Sequence, residues 1–202
     1  PRPLGSGRGV KMLQDAGLKV TVGVCENAAK ELNKAFFTSQ LLHRPYMYLK
    51  WAQTTDGFID KIRDKEGIKQ PSIISNDFTK MLVHKRRAEI AAIMVGTNTV
   101  LNDNPSLTTR EWYGTNPIRI ILDRQGRILQ NYSVFDAVAD TVVFTELVGE
   151  ETISDRTRFL PLKFNEDALS KILMKLNEMR IDSVLVEGGR YLLESFIKEG
   201  IW

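Results

Sequence analysis

The chain has 202 residues, 43% of them hydrophobic and 26% charged, with a formal net charge of +3 and a pI near 9.0. That balance belongs to a globular protein large enough to bury a core without metals or disulfides, and the single cysteine, Cys25, excludes an internal disulfide. The mild positive excess suits phosphate-bearing ligands but lacks the concentrated basic stripe that nucleic acid demands, and no apolar run approaches the roughly 20 residues of a membrane span.

In chain order, a Gly-rich opening leads into a short helix with Val10, Leu13 and Ala16 on one side, stopped by Gly17. "LKVTVGV", 18–24, reads as a strand. Glu26 to about Leu42 reads as one amphipathic helix, with Ala29, Leu32 and Phe36 at helical spacing. Pro45 forces "HRPY" into extended geometry, and a boundary is placed there. From Tyr46 onward strands are expected at 46–52, 91–96, 118–123, 141–145, 160–164 and 182–187, and helices over 76–90, 166–180 and 190–199. Several of these strands are continuous apolar runs, the pattern of strands buried on both faces. The alternation predicts an α/β fold with a mostly parallel central sheet and helices on both faces. The polar segment 60–71 reads as a loop. "PRPLGSGRG" at the N-terminus lacks the apolar centre of a secretory leader, and with one cysteine the expected location is cytoplasmic.

Four stretches carry candidate chemistry. "VLVEGGRYLLESF", 184–196, runs an apolar strand into Glu187, then two glycines, then a helix. Ligands of open α/β sheets bind beyond the carboxyl ends of strands, glycines admit a ligand close to the backbone, and the free N–H groups of a helix start favour anions. The stretch is either a phosphate seat with a carboxylate beside it or a tight turn with a capping acid. In "YLKWAQTTDGFID" alternation puts Met47, Leu49 and Trp51 on one face and Tyr48, Lys50 and Ala52 on the other. Lys50 either faces an active-site cavity or reaches water from an edge strand. "VGTNTVLNDNPSLTTR" reads as a polar loop at a strand's carboxyl end, with Arg110 a suitable phosphate fork. In "HKRR", 84–87, the cations complement a helix C-terminus, although one of them could still turn inward onto a phosphate. "GSGRG" is a loop rather than a dinucleotide fingerprint, and two histidines with one cysteine are too few for a metal site.

"GRGVKMLQDAGLKVTVGV", "ELNKAFF", "RPYMYLKWAQTTDG", "IMVGTNTVLNDNPSLTTR", "PIRIILDR" and "VLVEGG" occur in this order. Together they resemble the riboflavin-biosynthesis bifunctional deaminase/reductase family, over about Gly7 to Trp202. The resemblance implies a dihydrofolate-reductase-like three-layer fold, NADPH as cofactor, and reduction of 5-amino-6-(5-phosphoribosylamino)uracil to its ribitylamino product. It implies that residues 1–43 are the end of a deaminase domain and a linker. Residues 44–202 would be a reductase domain short of its C-terminal strands, and the active form a homodimer. Zinc would belong only to the deaminase domain of a longer parent chain, because the H-x-E and P-C…C ligand pattern is missing here.

Carried over by residue, the resemblance makes Lys50 and Glu187 catalytic. It places Ala52, Thr99 and Asp103 along the cofactor; Arg124 departs from the family, which commonly has a small cofactor-binding residue there, and is a candidate cofactor-binding partner for the 2′-phosphate of NADPH. Gly188, Gly189, Arg190, Tyr191, Leu192, Leu193, Glu194 and Ser195 would cradle its phosphates, and Arg87, Leu107, Arg110 and Glu187 would contact substrate. One departure stands out. Where the family has a Ser-x-Trp-Ile-Thr stretch, this chain reads "QPSIISN", with Pro71 for the serine and Ile73 for the tryptophan; Ser72 is a substitute shifted by one residue. The competing readings are another dihydrofolate-reductase-like NADPH reductase and a non-catalytic nucleotide-binding module.

Overall fold

The computed structural model describes residues 7–60 and 72–202; the expected loop 60–71 and the departure at Pro71 therefore lie, Asp60 apart, outside the described residues. The main body is a seven-stranded sheet. In chain order its strands are β1 (Tyr46–Leu49), β2 (Ala92–Gly96), β3 (Ile118–Leu122), β4 (Thr141–Thr145), β5 (Thr152–Ser154), β6 (Thr157–Pro161) and β7 (Ser183–Val186). In space they run β1-β7-β2-β3-β4-β6-β5, with every pair parallel except β5–β6. Helices α4 (Asp77–Ala88), α5 (Thr97–Asp103), α6 (Ala168–Glu178) and α7 (Arg190–Lys198) connect them, after α1 (Arg8–Asp15), α2 (Glu26–Leu32) and α3 (Lys34–Leu42).

The two faces of the sheet are built differently. Met47, Ala92, Met94, Ile120, Val142, Phe144, Val184 and Val186 point to one face and pack on Ile172, Leu173 and Leu176 of α6 and on Leu193 and Phe196 of α7. The period-2 alternation sends Ile93, Val95, Ile121 and Val143 to the other face, over Val100, Leu107, Ile128 and Val134. Helix α4 lies on this second side. It is capped by Asn76, whose Oδ1 accepts the Thr79 N–H at 2.9 Å, and it ends in the cations Lys85, Arg86 and Arg87. Its only buried residues are His84 and Arg87.

Strand β3 is anchored at both ends on that second face. Arg119, wholly buried, donates through Nη1 to the Val134 carbonyl at 2.9 Å and to Asp136 at 2.8 Å. Just past the other end, buried Asp123 accepts from the Thr97 hydroxyl at 3.0 Å and from the N–H groups of Arg127 and Ile128 at 3.1 and 2.9 Å. These bonds fold the segment after β3 back over the sheet.

The structure corrects several expectations. Residues 18–24 form no strand: Leu18, Val22 and Val24 are exposed, and no described strand lies alongside to pair with them. The helix expected over 26–42 breaks at Asn33, and its apolar stripe is not buried, Leu32 being 86% exposed. Strand β1 leaves its ladder after Leu49 rather than at Ala52. The stretch after β2 is not wholly a loop but opens with the short helix α5. The strand expected at 160–164 sits at 157–161, hairpinned to β5, which the sequence reading missed. Thr152, Ile153 and Ser154 are all exposed, so β5 carries no burial pattern that could reveal it. Among the described residues no helix is long and apolar enough to cross a membrane, and no cluster of His, Cys, Asp and Glu could hold a metal ion.

Phe196 is wholly buried between α7 and the sheet. Phe196→Ala is expected to cost about 3–5 kcal/mol, read as a lower denaturant midpoint with an unchanged m-value.

Candidate active site

The carboxyl ends of β1, β7, β2 and β3 lie side by side, and most of the sequence-derived candidates gather there. Leu49 pairs with Val186, and the Lys50 N–H donates to the Val186 carbonyl at 3.0 Å, so Lys50 and Glu187 are neighbours on the α4 side of the sheet. The Glu187 N–H donates to the Met94 carbonyl at 3.1 Å and the Gly96 N–H to the Gly188 carbonyl at 3.3 Å, tying the turn after β7 to the end of β2.

The centre of the constellation is an ion pair. Arg87, on the last turn of α4, grips Glu187 with two parallel bonds, Nε to Oε1 at 3.1 Å and Nη2 to Oε2 at 2.6 Å. Its third donor, Nη1, reaches the Thr108 carbonyl at 3.1 Å. The two side chains are only 10% and 8% exposed. A bidentate guanidinium–carboxylate pair supplies both energy and orientation, and each partner left alone at such depth would be a stranded charge. Of the four residues in "HKRR", Arg87 is thus a cation turned inward, and its buried face is shared by His84. Arg87 and Glu187, two of the four residues that the resemblance assigns to substrate, hold each other, which leaves Lys50 and Arg110 as the cations of the group without an ionic partner among the described residues.

Beyond Glu187 the chain turns sharply. Gly188 has φ +132°, in the region that favours glycine, and the Gly188–Gly189 peptide is cis. A Cβ on Gly189 would stand 3.3 Å from the Thr99 hydroxyl of α5, so glycine here lets the turn pass close against α5. Helix α7 then starts without a side-chain cap. The N–H groups of Leu192 and Leu193 fold back to the Gly189 carbonyl at 3.1 Å each, and those of Arg190 and Tyr191 have no intrahelical acceptor. Bare glycine backbone leading into free N–H groups at a helix start is the chemistry that suits the diphosphate of a dinucleotide. Within 189–195 that fit rests on backbone. Leu193 lies in the core, Arg190 pairs with Glu194 on the surface at 2.5 Å, and the Ser195 hydroxyl donates to the Leu192 carbonyl.

The strap after α5 closes the other wall. Leu107 is buried with φ +54°, and the Thr109 N–H donates to Asn116 Oδ1 at 2.9 Å, which leaves Arg110 exposed at the rim. Arg124, after β3, is exposed and pairs with Glu146 at 2.9 Å. The Phe164 N–H and Arg124 together hold the Glu146 carboxyl below its ordinary range. Nearby, the Arg127 guanidinium donates to the Asn98 side-chain oxygen at 3.3 Å. Ala52 lies past the end of β1, and Asp103 ends α5. Ser72 donates to Asp60 at 2.6 Å. A cleft of about 390 Å³ between β6 and α6, lined by Lys163, Lys171 and Lys175, includes none of the candidate site residues in its lining.

Sequence reading missed the Thr108 carbonyl, Arg127 and His84. Backbone acceptors leave no residue-type signal, but His84 had one: it sits three residues before Arg87, on the same helical face. Burial first, then the neighbouring guanidinium groups of Arg87 and Arg110, push its imidazole pKa down, with Glu111 opposing.

Residues 45–202 match the family described as the RibD C-terminal domain. The chain belongs to that family. A riboflavin biosynthesis protein RibD from Aquifex aeolicus is 42% identical over 209 residues, covering all of this chain and 56% of that protein. A crystal structure from Thermotoga maritima, named as a diaminohydroxyphosphoribosylaminopyrimidine deaminase/5-amino-6-(5-phosphoribosylamino)uracil reductase, superposes with a TM-score of 0.82 at 38% identity, covering 98% of this chain and 54% of that one. The yeast riboflavin biosynthesis reductase Rib7 shares the fold, with a TM-score of 0.58 at 21% identity over 85% of this chain and 78% of that one. The chain spans about half the length of the RibD relatives it matches, 54% to 56% of the first three, and it corresponds to their reductase half. The expected α/β fold and riboflavin-biosynthesis reductase family are thereby established, and reductases of this family generally use a nicotinamide dinucleotide.

Two predictions follow from the ion pair and its neighbour. Arg87→Ala strands Glu187 and should cost about 3–5 kcal/mol, whereas Arg87→Met combined with Glu187→Leu should recover most of that loss, both read by chemical denaturation. The folded protein resists protonating His84 while the unfolded chain takes up that proton near the ordinary imidazole value of about 6.5. Stability should therefore decline as pH falls below about 6.5, and His84→Gln should flatten that part of the curve.

Proposed function

We propose that this domain reduces the ribosyl side chain of 5-amino-6-(5-phosphoribosylamino)uracil to ribityl with NADPH, as a step of riboflavin biosynthesis. The observation that carries the reading is the meeting of Lys50, the Arg87–Glu187 pair and the Gly188–Gly189 turn at the carboxyl ends of adjoining parallel strands. The name of the Thermotoga protein supports the choice of substrate.

NADPH, when bound, supplies a hydride to C1′ of the sugar in its open imine form, and the nitrogen takes a proton, giving the ribitylamine. The protein's part is to bind, orient and exclude water. The backbone at Gly188 and Gly189 and the N–H groups of Arg190 and Tyr191 would take the cofactor's diphosphate, with the Thr99 hydroxyl beside the turn. Ala52 and Asp103 would flank the rest of the cofactor. The 2′-phosphate would fall beyond β3, within reach of Arg124 and of Arg127 beside it. Glu187, held at a fixed angle by Arg87, would present its remaining lone pairs to the polar edge of the pyrimidine. Lys50 would deliver the proton or steady the charge that develops as the C–N double bond is lost. Arg110 would take the 5′-phosphate, with Leu107 beneath the base. Residues 1–43 would be the end of a deaminase domain of a longer chain, where zinc would reside, and the active form a cytoplasmic homodimer.

The test is titration with NADPH and NADH followed by turnover on the deaminated pyrimidine. NADPH should bind at least tenfold more tightly than NADH, and Arg124→Ala should narrow that gap. Arg110→Ala should raise the Michaelis constant for substrate about tenfold or more and leave NADPH affinity nearly intact; a fall in NADPH affinity instead would place the phosphates the other way round. Lys50→Met should lower kcat with both affinities retained, and binding of NADPH with no turnover by the native domain would mark it as a nucleotide-binding module.

A further inference from the structure

His84 is a buried side chain to which the reaction above gives no task. It is 4% exposed, and its Nδ1 is fully enclosed without a hydrogen-bond partner among the described residues. Nε2 points toward the strap, 3.7 Å from a carboxylate oxygen of Glu111. Nε2 is thus the ring nitrogen that faces a carboxylate, and Nδ1 the one enclosed without a partner. A leucine would fill the same space without enclosing an unmet polar atom, so packing alone does not account for a histidine here.

Its position relative to Arg87 supplies the account. The two residues stand one turn apart on the inward face of α4 and touch successive parts of the same strap. Arg87 holds the Thr108 carbonyl; His84 faces Glu111. Arg110 lies between these two points, exposed. The charged groups facing His84 are Arg87 on its own helix and Arg110 and Glu111 on the strap. A neutral imidazole beside two guanidinium groups adds no repulsion, and its Nε2 edge stays turned to Glu111.

We infer that His84 is a positioning residue for substrate: with Arg87 it brackets the strap from Thr108 to Glu111, and so fixes where Arg110 presents its guanidinium. This rests on the reading of Arg110 as the anion-binding group of the proposed reductase.

The experiment is a mutant cycle. His84→Leu, His84→Gln and Glu111→Gln are made in the native sequence and in an Arg110→Ala background, with thermal midpoints recorded for each. kcat and KM for the pyrimidine substrate, the Kd of NADPH, and the Kd of ribose 5-phosphate as a minimal anionic probe are measured. His84→Leu should raise KM and the ribose 5-phosphate Kd about five- to tenfold, with kcat and NADPH affinity within about twofold. His84→Gln, which retains an N–H in place of Nε2, should restore most of the loss. Glu111→Gln, an exposed change that does not threaten folding, should raise KM in the same direction and add little to His84→Leu. With Arg110→Ala in place, His84→Leu should add nothing. The inference is overturned if the His84→Leu penalty persists undiminished without Arg110, or if kcat, NADPH affinity and KM all deteriorate together. Should the native domain bind ribose 5-phosphate yet fail to reduce the pyrimidine, the reductase reading fails, and the cycle read on ribose 5-phosphate still decides the role of His84. If ribose 5-phosphate does not bind the native domain saturably, His84 has no anion site to organise and the inference falls.

Discussion

One guanidinium joins the parts of this domain that matter. Arg87 belongs to α4, its carboxylate partner Glu187 to the turn after β7, and its carbonyl partner Thr108 to the strap after α5. Three segments far apart in the chain are thus referred to a single planar group with a fixed fork of donors. The bonds are directional and largely shielded from water, so they set angles as well as distances. Hydrophobic contact, which is not directional, could bring the same segments together but could not specify how Glu187 and the strap are oriented toward each other.

The asymmetry of the two sheet faces follows from that division of labour. The side covered by α6 and α7 is packed with aliphatic and aromatic residues and bears the burden of stability. On the opposite side α4 turns a histidine and an arginine toward the sheet while Phe78 and Leu82 face solvent. Such a helix contributes little apolar burial of its own. Its place is secured by its cap, by its connections and by the polar contacts it makes, and those contacts converge where Lys50 and Glu187 emerge from the strands.

Much of the fold was legible in sequence because the parallel strands are continuous apolar runs, and a strand buried on both faces leaves no other choice of residue. Strands β2, β3, β4 and β7 and helices α4, α6 and α7 came out within two or three residues of their true limits. Residues 18–24 have a strand's alternation but no described strand alongside to pair with, and the stripe Ala29–Leu32–Phe36 forms two helices broken at Asn33 with those three residues left exposed. The opposite error hid β5, whose residues are all exposed. At the site, glycines, acids and cations were recognisable by type. Their pairing was not: nothing in "HKRR" and "VEGG" says that Arg87 and Glu187 meet, because that depends on how α4 crosses the sheet. Backbone partners such as the Thr108 carbonyl are invisible to any reading by residue type.

The double anchoring of β3 has a consequence for folding fidelity. Parallel pairing alone tolerates sliding of one apolar run past another, since isoleucine and valine are nearly interchangeable along the ladder. A one-residue slip of β3 would swing Arg119 and Asp123 into the layer of Leu173 and Phe196, where neither Asp136 nor the N–H groups of Arg127 and Ile128 could follow. Two ionisable side chains at opposite ends of a five-residue strand thereby act as stops, admitting one alignment and penalising its neighbours. The same alignment carries Thr97 to Asp123, so the beginning of α5 inherits its location from an error-checking device built into the middle of the sheet.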